Sequence, residues 1–160
     1  MALLDESRRQ DLIFIDGSWR PGSGAVTDVV EPATGTVLGT FHLATTDDVA
    51  RAAATAAAVQ REWAAASHIV RAGVLRRAAA LWAEHAEEIS WWNIREVGAV
   101  PGMAGFSVHT AEQECWEAAA LPGRPYGELV PSGEPRLSMT RRYPAGVVGV
   151  IAPFNVPIIL

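Results

Sequence analysis

The residues best placed to do chemistry lie in Pro153-Phe154-Asn155-Val156-Pro157. One amide side chain stands between two prolines, directly after an apolar run at residues 147–151. That run reads as a strand buried on both faces, as in a parallel sheet with helices on each side. An asparagine at the carboxyl end of such a strand lies where open α/β sheets bind ligands. Its NH2 group suits a developing oxyanion, an interaction worth roughly 2.7–4 kcal/mol in comparable sites. A turn asparagine that hydrogen-bonds its own backbone fits the same spacing equally well.

The remaining candidates point to structure more than to chemistry. A nucleophilic thiol wants a lowered pKa and an approachable position, often at a helix start. Cys115 instead falls late in an amphipathic stretch, in step with Val108, Ala111 and Ala118, and reads as a small core residue. His42, His68, His85 and His109 lack metal-ligand spacing, and no cysteine or acidic cluster joins them. Gly22-Ser23-Gly24 has Thr27 where a dinucleotide fingerprint needs its third glycine, and strand rather than helix follows, so it reads as a loop. Glu87-Glu88 and Glu112-Gln113-Glu114 read as solvated helix faces.

Composition narrows the function classes. The chain has 160 residues, enough for a domain with a core, and is 49% hydrophobic and 19% charged, as a globular protein is. A net charge of -5 gives no electrostatic reason to expect nucleic acid or an anionic membrane as partner. All 13 basic residues are arginine, which excludes lysine Schiff-base chemistry within this segment. Cys115 is the single cysteine, so no intramolecular disulfide is possible and a reducing compartment is the default. The opening Met1-Ala2-Leu3-Leu4-Asp5-Glu6-Ser7-Arg8-Arg9 places charge where a signal peptide needs its apolar region. The longest apolar run is too short and too proline-rich to span a bilayer. Cytoplasm is the simplest location.

The elements that must position Asn155 follow from punctuation and period. Asp16-Gly17 suits a type I′ turn between two short strands. Two further strands, near residues 26–30 and 37–41, flank the turn Glu31-Pro32-Ala33-Thr34-Gly35. Thr45-Thr46-Asp47-Asp48 opens a helix with a hydroxyl cap and acids at the positive end of the dipole, and Val49, Ala52, Ala56, Val59 and Trp63 form its apolar stripe. A second helix starts near Ser67 with Val70, Val74, Ala78, Leu81 and Trp82 as its stripe. A third spans residues 87–97 and stops at Gly98, and a fourth runs from Pro101 to about Ala119. Residues 127–134 read as irregular. Residues 136–143 alternate as an exposed strand, and Pro144-Ala145-Gly146 turns the chain into the buried one. That last strand needs neighbours on both edges, and little before it supplies them. The expectation is therefore the front part of a longer α/β protein.

Several of these segments, in this order, resemble the aldehyde dehydrogenase superfamily. Arg142-Tyr143-Pro144-Ala145-Gly146-Val147-Val148-Gly149 is similar to its Arg-x-Pro-x-Gly-Val-Val-Gly approach, and Pro153-Phe154-Asn155-Val156-Pro157 to its Pro-Trp-Asn-Phe-Pro signature. Phe14-Ile15-Asp16-Gly17-Ser18-Trp19 resembles the family's opening hairpin, Glu31-Pro32-Ala33-Thr34-Gly35 its Pro-Ala-Thr-Gly turn, residues 72–79 its Arg- and Leu-rich helix, and Arg95-Glu96-Val97-Gly98 its Glu-Thr-Gly-Lys motif with Thr and Lys lost. Phe154, Val156 and the run Ser138-Met139-Thr140-Arg141-Arg142 are most similar to the benzaldehyde (aryl-aldehyde) dehydrogenase branch.

The resemblance implies the N-terminal part of the aldehyde dehydrogenase fold. Residues 1–125 and 145–160 would belong to the NAD(P)-binding domain. Residues 126–144 would form an oligomerisation strand region of a dimer or tetramer, and the catalytic domain would be absent from this chain. Asn155 takes the family's oxyanion role, holding the thiohemiacetal oxygen together with the backbone N–H of the catalytic cysteine. Ile151, Ala152, Pro153 and Phe154 take the strand end that contacts the dinucleotide, NAD or NADP with NAD favoured. Phe154 in place of the usual Trp keeps an aromatic wall and removes an indole N–H. The implied reaction is oxidation of a small-molecule aromatic aldehyde to its acid. Its nucleophilic cysteine and water-activating glutamate lie beyond position 160 in the family, and Cys115 does not match that cysteine. The 160-residue species is expected to be inactive alone. The competing reading is a truncated, non-catalytic paralogue that uses residues 136–143 as an edge strand to pair with a longer partner.

Overall fold

The computed structural model describes residues 12–160. The charged opening segment, on which the absence of a signal peptide was read, lies outside the described residues. Strands β1 (Leu12–Ile15) and β2 (Ser18–Pro21) pair antiparallel with Ile15 opposite Ser18. Asp16 and Gly17 take φ of 57° and 66°, as the expected type I′ turn requires. Phe14 and Trp19 face each other across this hairpin, ring centroids 5.1 Å apart and edge to face.

Strands β3 (Val26–Val30) and β4 (Val37–His42) form a second antiparallel pair, with a register shift between Val29 and Val30. The Gly35 N–H donates to the Glu31 carbonyl at 2.8 Å and closes the turn between them. The loop before β3 runs against the end of β4. A Cβ on Gly22 would stand 2.6 Å from the His42 carbonyl oxygen, and one on Gly24 would stand 2.5 Å from that of Leu43. Close backbone approach therefore accounts for both glycines, without any phosphate.

Four helices follow: α1 (Thr46–Ala65), α2 (His68–Glu84), α3 (Ala86–Val97) and α4 (Pro101–Ala120). Their ends obey the sequence signals. Thr45 and Ser67 cap α1 and α2, Gly98 ends α3 in the left-handed region at φ 77°, and Pro101 begins α4. A 3-10 turn at Leu121–Gly123 leads to a short ribbon, β5 (Leu129–Val130) paired with β6 (Ser138–Met139).

The core lies where α2 meets α4, with α3 against α4 beside it. Its buried members are small: Ala72 and Ala79 from α2, and Ala104, Ser107, Val108, Ala111 and Ala119 from α4. Small side chains let two helix backbones approach closely at native packing density. This corrects the expected α2 stripe, since Val70 and Val74 are exposed and the alanine face is the one that packs. The α1 stripe is likewise open, with Val49, Val59 and Trp63 exposed. Apolar period marks a face that wants burial, but among the described residues nothing covers this one.

Two strand expectations also change. Residues 147–151 form no strand, and Val148, Val150 and Ile151 are exposed. A strand buried on both faces takes its hydrogen bonds from both edges. Every strand among the described residues is already paired with its own hairpin partner, and none of the pairs is parallel. The exposed strand at 136–143 shrinks to Ser138–Met139, and part of the region read as irregular becomes its partner. A Cβ on Gly127 would collide with the Thr140 carbonyl oxygen, so the strands of this ribbon draw together only because residue 127 is glycine.

Candidate functional site

The segment expected to carry chemistry is an open turn. The Val156 N–H donates to the Pro153 carbonyl at 3.3 Å, which places Phe154 and Asn155 at the corner. The Ile159 N–H donates in turn to the Val156 carbonyl at 3.2 Å. Asn155 is exposed, and its side chain makes no hydrogen bond to a described residue. The self-bonding turn asparagine is therefore not what forms. Ile151 is 97% exposed and Phe154 72%, Ala152 is exposed, and Pro153 is half-buried. Residues 151–155, consecutive in the chain, thus lie mostly at the surface, and the Asn155 amide has no hydrogen-bond partner among the described residues.

Two polar clusters fix the fold elsewhere in the chain. Asp48 at the start of α1 is 1% exposed. Its Oδ2 accepts from the Thr45 and Ser23 backbone N–H groups, both at 3.0 Å, and its Oδ1 accepts from the Ser23 hydroxyl and the Arg51 guanidinium, also at 3.0 Å. Thr45 returns the bond, its Oγ1 accepting from the Asp48 N–H. The result is a capping box that also ties the loop before β3 to the helix. The two backbone donors hold the Asp48 carboxyl far below the usual carboxylate range, against the opposing effect of burial.

The second cluster joins the two motifs around Glu31 and Arg95. The Arg95 Nε donates to Glu31 Oε1 at 2.7 Å, and the Thr34 hydroxyl donates to Glu31 Oε2 at 2.5 Å. Arg95 also lies over the Trp91 ring, 4.8 Å from its centroid. The Arg95 bond, then Thr34, lowers the Glu31 pKa, and Glu31 raises that of Arg95. A Cβ at Gly98 would come within 3.5 Å of Pro32, so the end of α3 rests on the β3–β4 turn.

Cys115 is half-buried on α4, one turn beyond Ala111 and one before Ala119, consistent with a packing role. Among the described residues no group of three or more His, Cys, Asp or Glu stands close enough to hold a metal, and no helix is long and apolar enough to cross a membrane. Sequence reading overlooked Asp48 as more than a dipole partner, and it overlooked the Glu31–Arg95 pair. The capping-box spacing Thr45-x-x-Asp48 signals the first. The second joins residues far apart in the chain, and no local pattern reveals it.

The sequence pattern of the aldehyde dehydrogenase family matches residues 19–160. The chain belongs to that family. It is 55% identical over 160 residues to a vanillin dehydrogenase of Amycolatopsis sp., covering 100% of this chain and 33% of that protein. It is 39% identical over 159 residues to the benzaldehyde dehydrogenase [NAD(+)] of Pseudomonas putida, covering 97% of this chain and 33% of that one. The fold overlays the crystal structure of an aldehyde dehydrogenase from Brucella melitensis biovar abortus 2308 with a TM-score of 0.90 at 28% identity, over 99% of this chain and 33% of that chain. The chain spans about a third of the length of the curated relatives it matches.

Proposed function

We propose that the protein containing these residues oxidises an aromatic aldehyde to the carboxylic acid with NAD(P)+ as hydride acceptor, and that Asn155 supplies the oxyanion donor. The observation that carries this reading is the unbonded Asn155 amide next to the mostly exposed residues 151–154, in a chain whose family membership is established. A side-chain NH2 already committed to its own backbone would need reorganisation before it met a substrate oxygen, and this one would not. Residues 1–125 and 145–160 form the front of the cofactor domain in this reading. Ile151, Ala152, Pro153 and Phe154 give the dinucleotide an apolar wall, and their exposure fits that use. The dinucleotide, when bound, accepts the hydride. The substrate class rests on the names of the vanillin and benzaldehyde dehydrogenases to which this chain is similar, and the preference for NAD over NADP rests on the second of them.

The segment at 126–144 serves oligomerisation in this reading, as a dimer or tetramer. Its ribbon presents Leu129, Leu137 and Met139 to solvent at 70%, 73% and 61% exposure, a surface suited to a second subunit. Cys115, half-buried in the α4 packing, takes no part, and residues 1–160 alone are inactive. Cytoplasm, a reducing compartment, fits a segment whose single cysteine has no disulfide partner within it.

The test is NADH and NADPH formation by the full-length protein with vanillin, benzaldehyde and acetaldehyde. The aromatic substrates give the higher kcat/KM, with NAD+ preferred. A preference for acetaldehyde removes the aromatic assignment, and turnover by residues 1–160 alone brings Cys115 back as nucleophile.

A further inference from the structure

At the root of the β5–β6 ribbon, α2, the end of α4 and the 3-10 turn border an open groove of about 470 Å³, with Leu121, Tyr126 and Tyr143 exposed along its mouth. Three arginines line it, Arg71, Arg124 and Arg142, and none of its lining residues is acidic. The Arg71 Nη2 donates to the Tyr126 hydroxyl at 3.2 Å, while its Nε is buried with no acceptor among the described residues. Arg124 and Arg142 reach an adjoining cavity that holds Glu128, and neither pairs with that carboxylate. Both backbones are fixed: the Arg142 N–H donates to the Tyr126 carbonyl at 2.6 Å, and the Arg124 N–H to that of Leu121 at 3.1 Å.

The buried Arg71 Nε without a partner is costly, and the exposed Arg124 and Arg142 guanidiniums add positive charge at the groove's mouth that an anion would neutralise. Arginine is the side chain whose planar fork matches a carboxylate or phosphate. The rest of the wall separates these two. Leu75, Leu121 and Tyr143 give it apolar surface, which a free inorganic anion does not use and a ring-bearing acid does. The volume lies within the ordinary range for a small-molecule site, roughly 300–1,000 Å³.

We propose that this groove binds a carboxylate carried on an apolar, ring-sized body, an aryl carboxylate. The site is built from α2, the 3-10 turn and the ribbon root. It uses neither Asn155 nor residues 151–154, so it stands apart from the proposed oxyanion site, while Tyr126, Arg142 and Tyr143 belong to the segment assigned above to oligomerisation.

The test is calorimetric titration of the full chain with benzoate, its neutral counterpart benzamide, and inorganic phosphate. Benzoate gives saturable binding, and benzamide and phosphate bind about tenfold or more weakly. The doubly substituted Arg124→Gln, Arg142→Gln chain, with its helical circular dichroism retained, loses benzoate affinity by about tenfold or more. Equal binding of benzamide, tighter binding of phosphate, no saturable heat with benzoate, or benzoate affinity unchanged in the double variant each overturns the proposal. Benzoate held at the Asn155 segment would survive both substitutions, which separates the two sites. Where the double variant fails to fold, Asn155→Ala decides: it keeps the benzoate affinity if the groove is the site, and loss of that affinity overturns the proposal.

Discussion

Glu31 and Arg95 stand 2.7 Å apart, the carboxylate in the β3–β4 turn and the guanidinium in the last turn of α3. This pair links the strand-rich front of the chain to its helices, and Pro32 against Gly98 supports it from the side. Arg95 is bound further by the Trp91 ring, so its geometry is fixed from two directions.

The pair makes stability depend on pH in a defined direction. Glu31 has a folded pKa lowered from 4.5, chiefly by Arg95. A depressed carboxyl contributes stability that is present above its unfolded value and lost as pH falls through the folded one. Glu31→Gln should therefore lower the urea midpoint at pH 7, and the gap to the unsubstituted chain should close as pH falls below 4.5. A gap that is constant with pH would deny the ion pair its role.

The Asp48 cluster predicts a second acid limb. Its carboxyl is depressed from 3.8 by the Thr45 and Ser23 N–H groups, so its contribution is complete above that value and fades only in stronger acid. Thr45→Ala removes one partner of the box and should destabilise the chain by about 1 kcal/mol in chemical denaturation. Gly24→Ala should destabilise it too, because the new Cβ meets the Leu43 carbonyl oxygen at 2.5 Å. A neutral Gly24→Ala would show that the loop relaxes.

Asn155→Ala addresses the proposed chemistry. In the full-length protein it should lower kcat for benzaldehyde by roughly 10²–10³-fold, the loss seen when one oxyanion donor is removed. Thermal stability should stay close to unchanged, since the Asn155 side chain bonds to no described residue. A variant that keeps its kcat leaves Asn155 without the oxyanion role.

The α2–α4 interface should resist enlargement. Ala79 and Ala104 are both 0% exposed, so leucine at either place finds no room. Ala79→Leu should cost about 1–3 kcal/mol, read from denaturant midpoints. Val74→Leu on the open face should leave the midpoint nearly unchanged.

Much of this architecture was legible in the sequence because its signals are local. Asp16-Gly17 fixes a turn through its own φ angles, Thr45 and Ser67 cap the next residues along, and Gly98 ends its own helix. Faces were harder to read. Hydropathy singles out Val70 and Val74 on α2, but close helix approach selects Ala72 and Ala79, and bulk alone does not reveal that preference. Residues 147–151 were read from composition as a buried strand, yet a strand is defined by its neighbours, and none is available among the described residues. Asn155 was legible as a position of interest. The ion pair behind the β3–β4 turn was not, since nothing near Glu31 in sequence announces Arg95.

Each ribbon among the described residues joins strands that are neighbours in sequence: β1 with β2, β3 with β4, β5 with β6. Such closures are brief searches, and hairpins of this kind form in roughly 1–10 μs. The α2–α4 seam and the Glu31–Arg95 bridge must bring together segments much farther apart, and loop closure slows both. The ribbons should therefore be early, reversible events, with the rate of folding set by the meeting of two alanine faces.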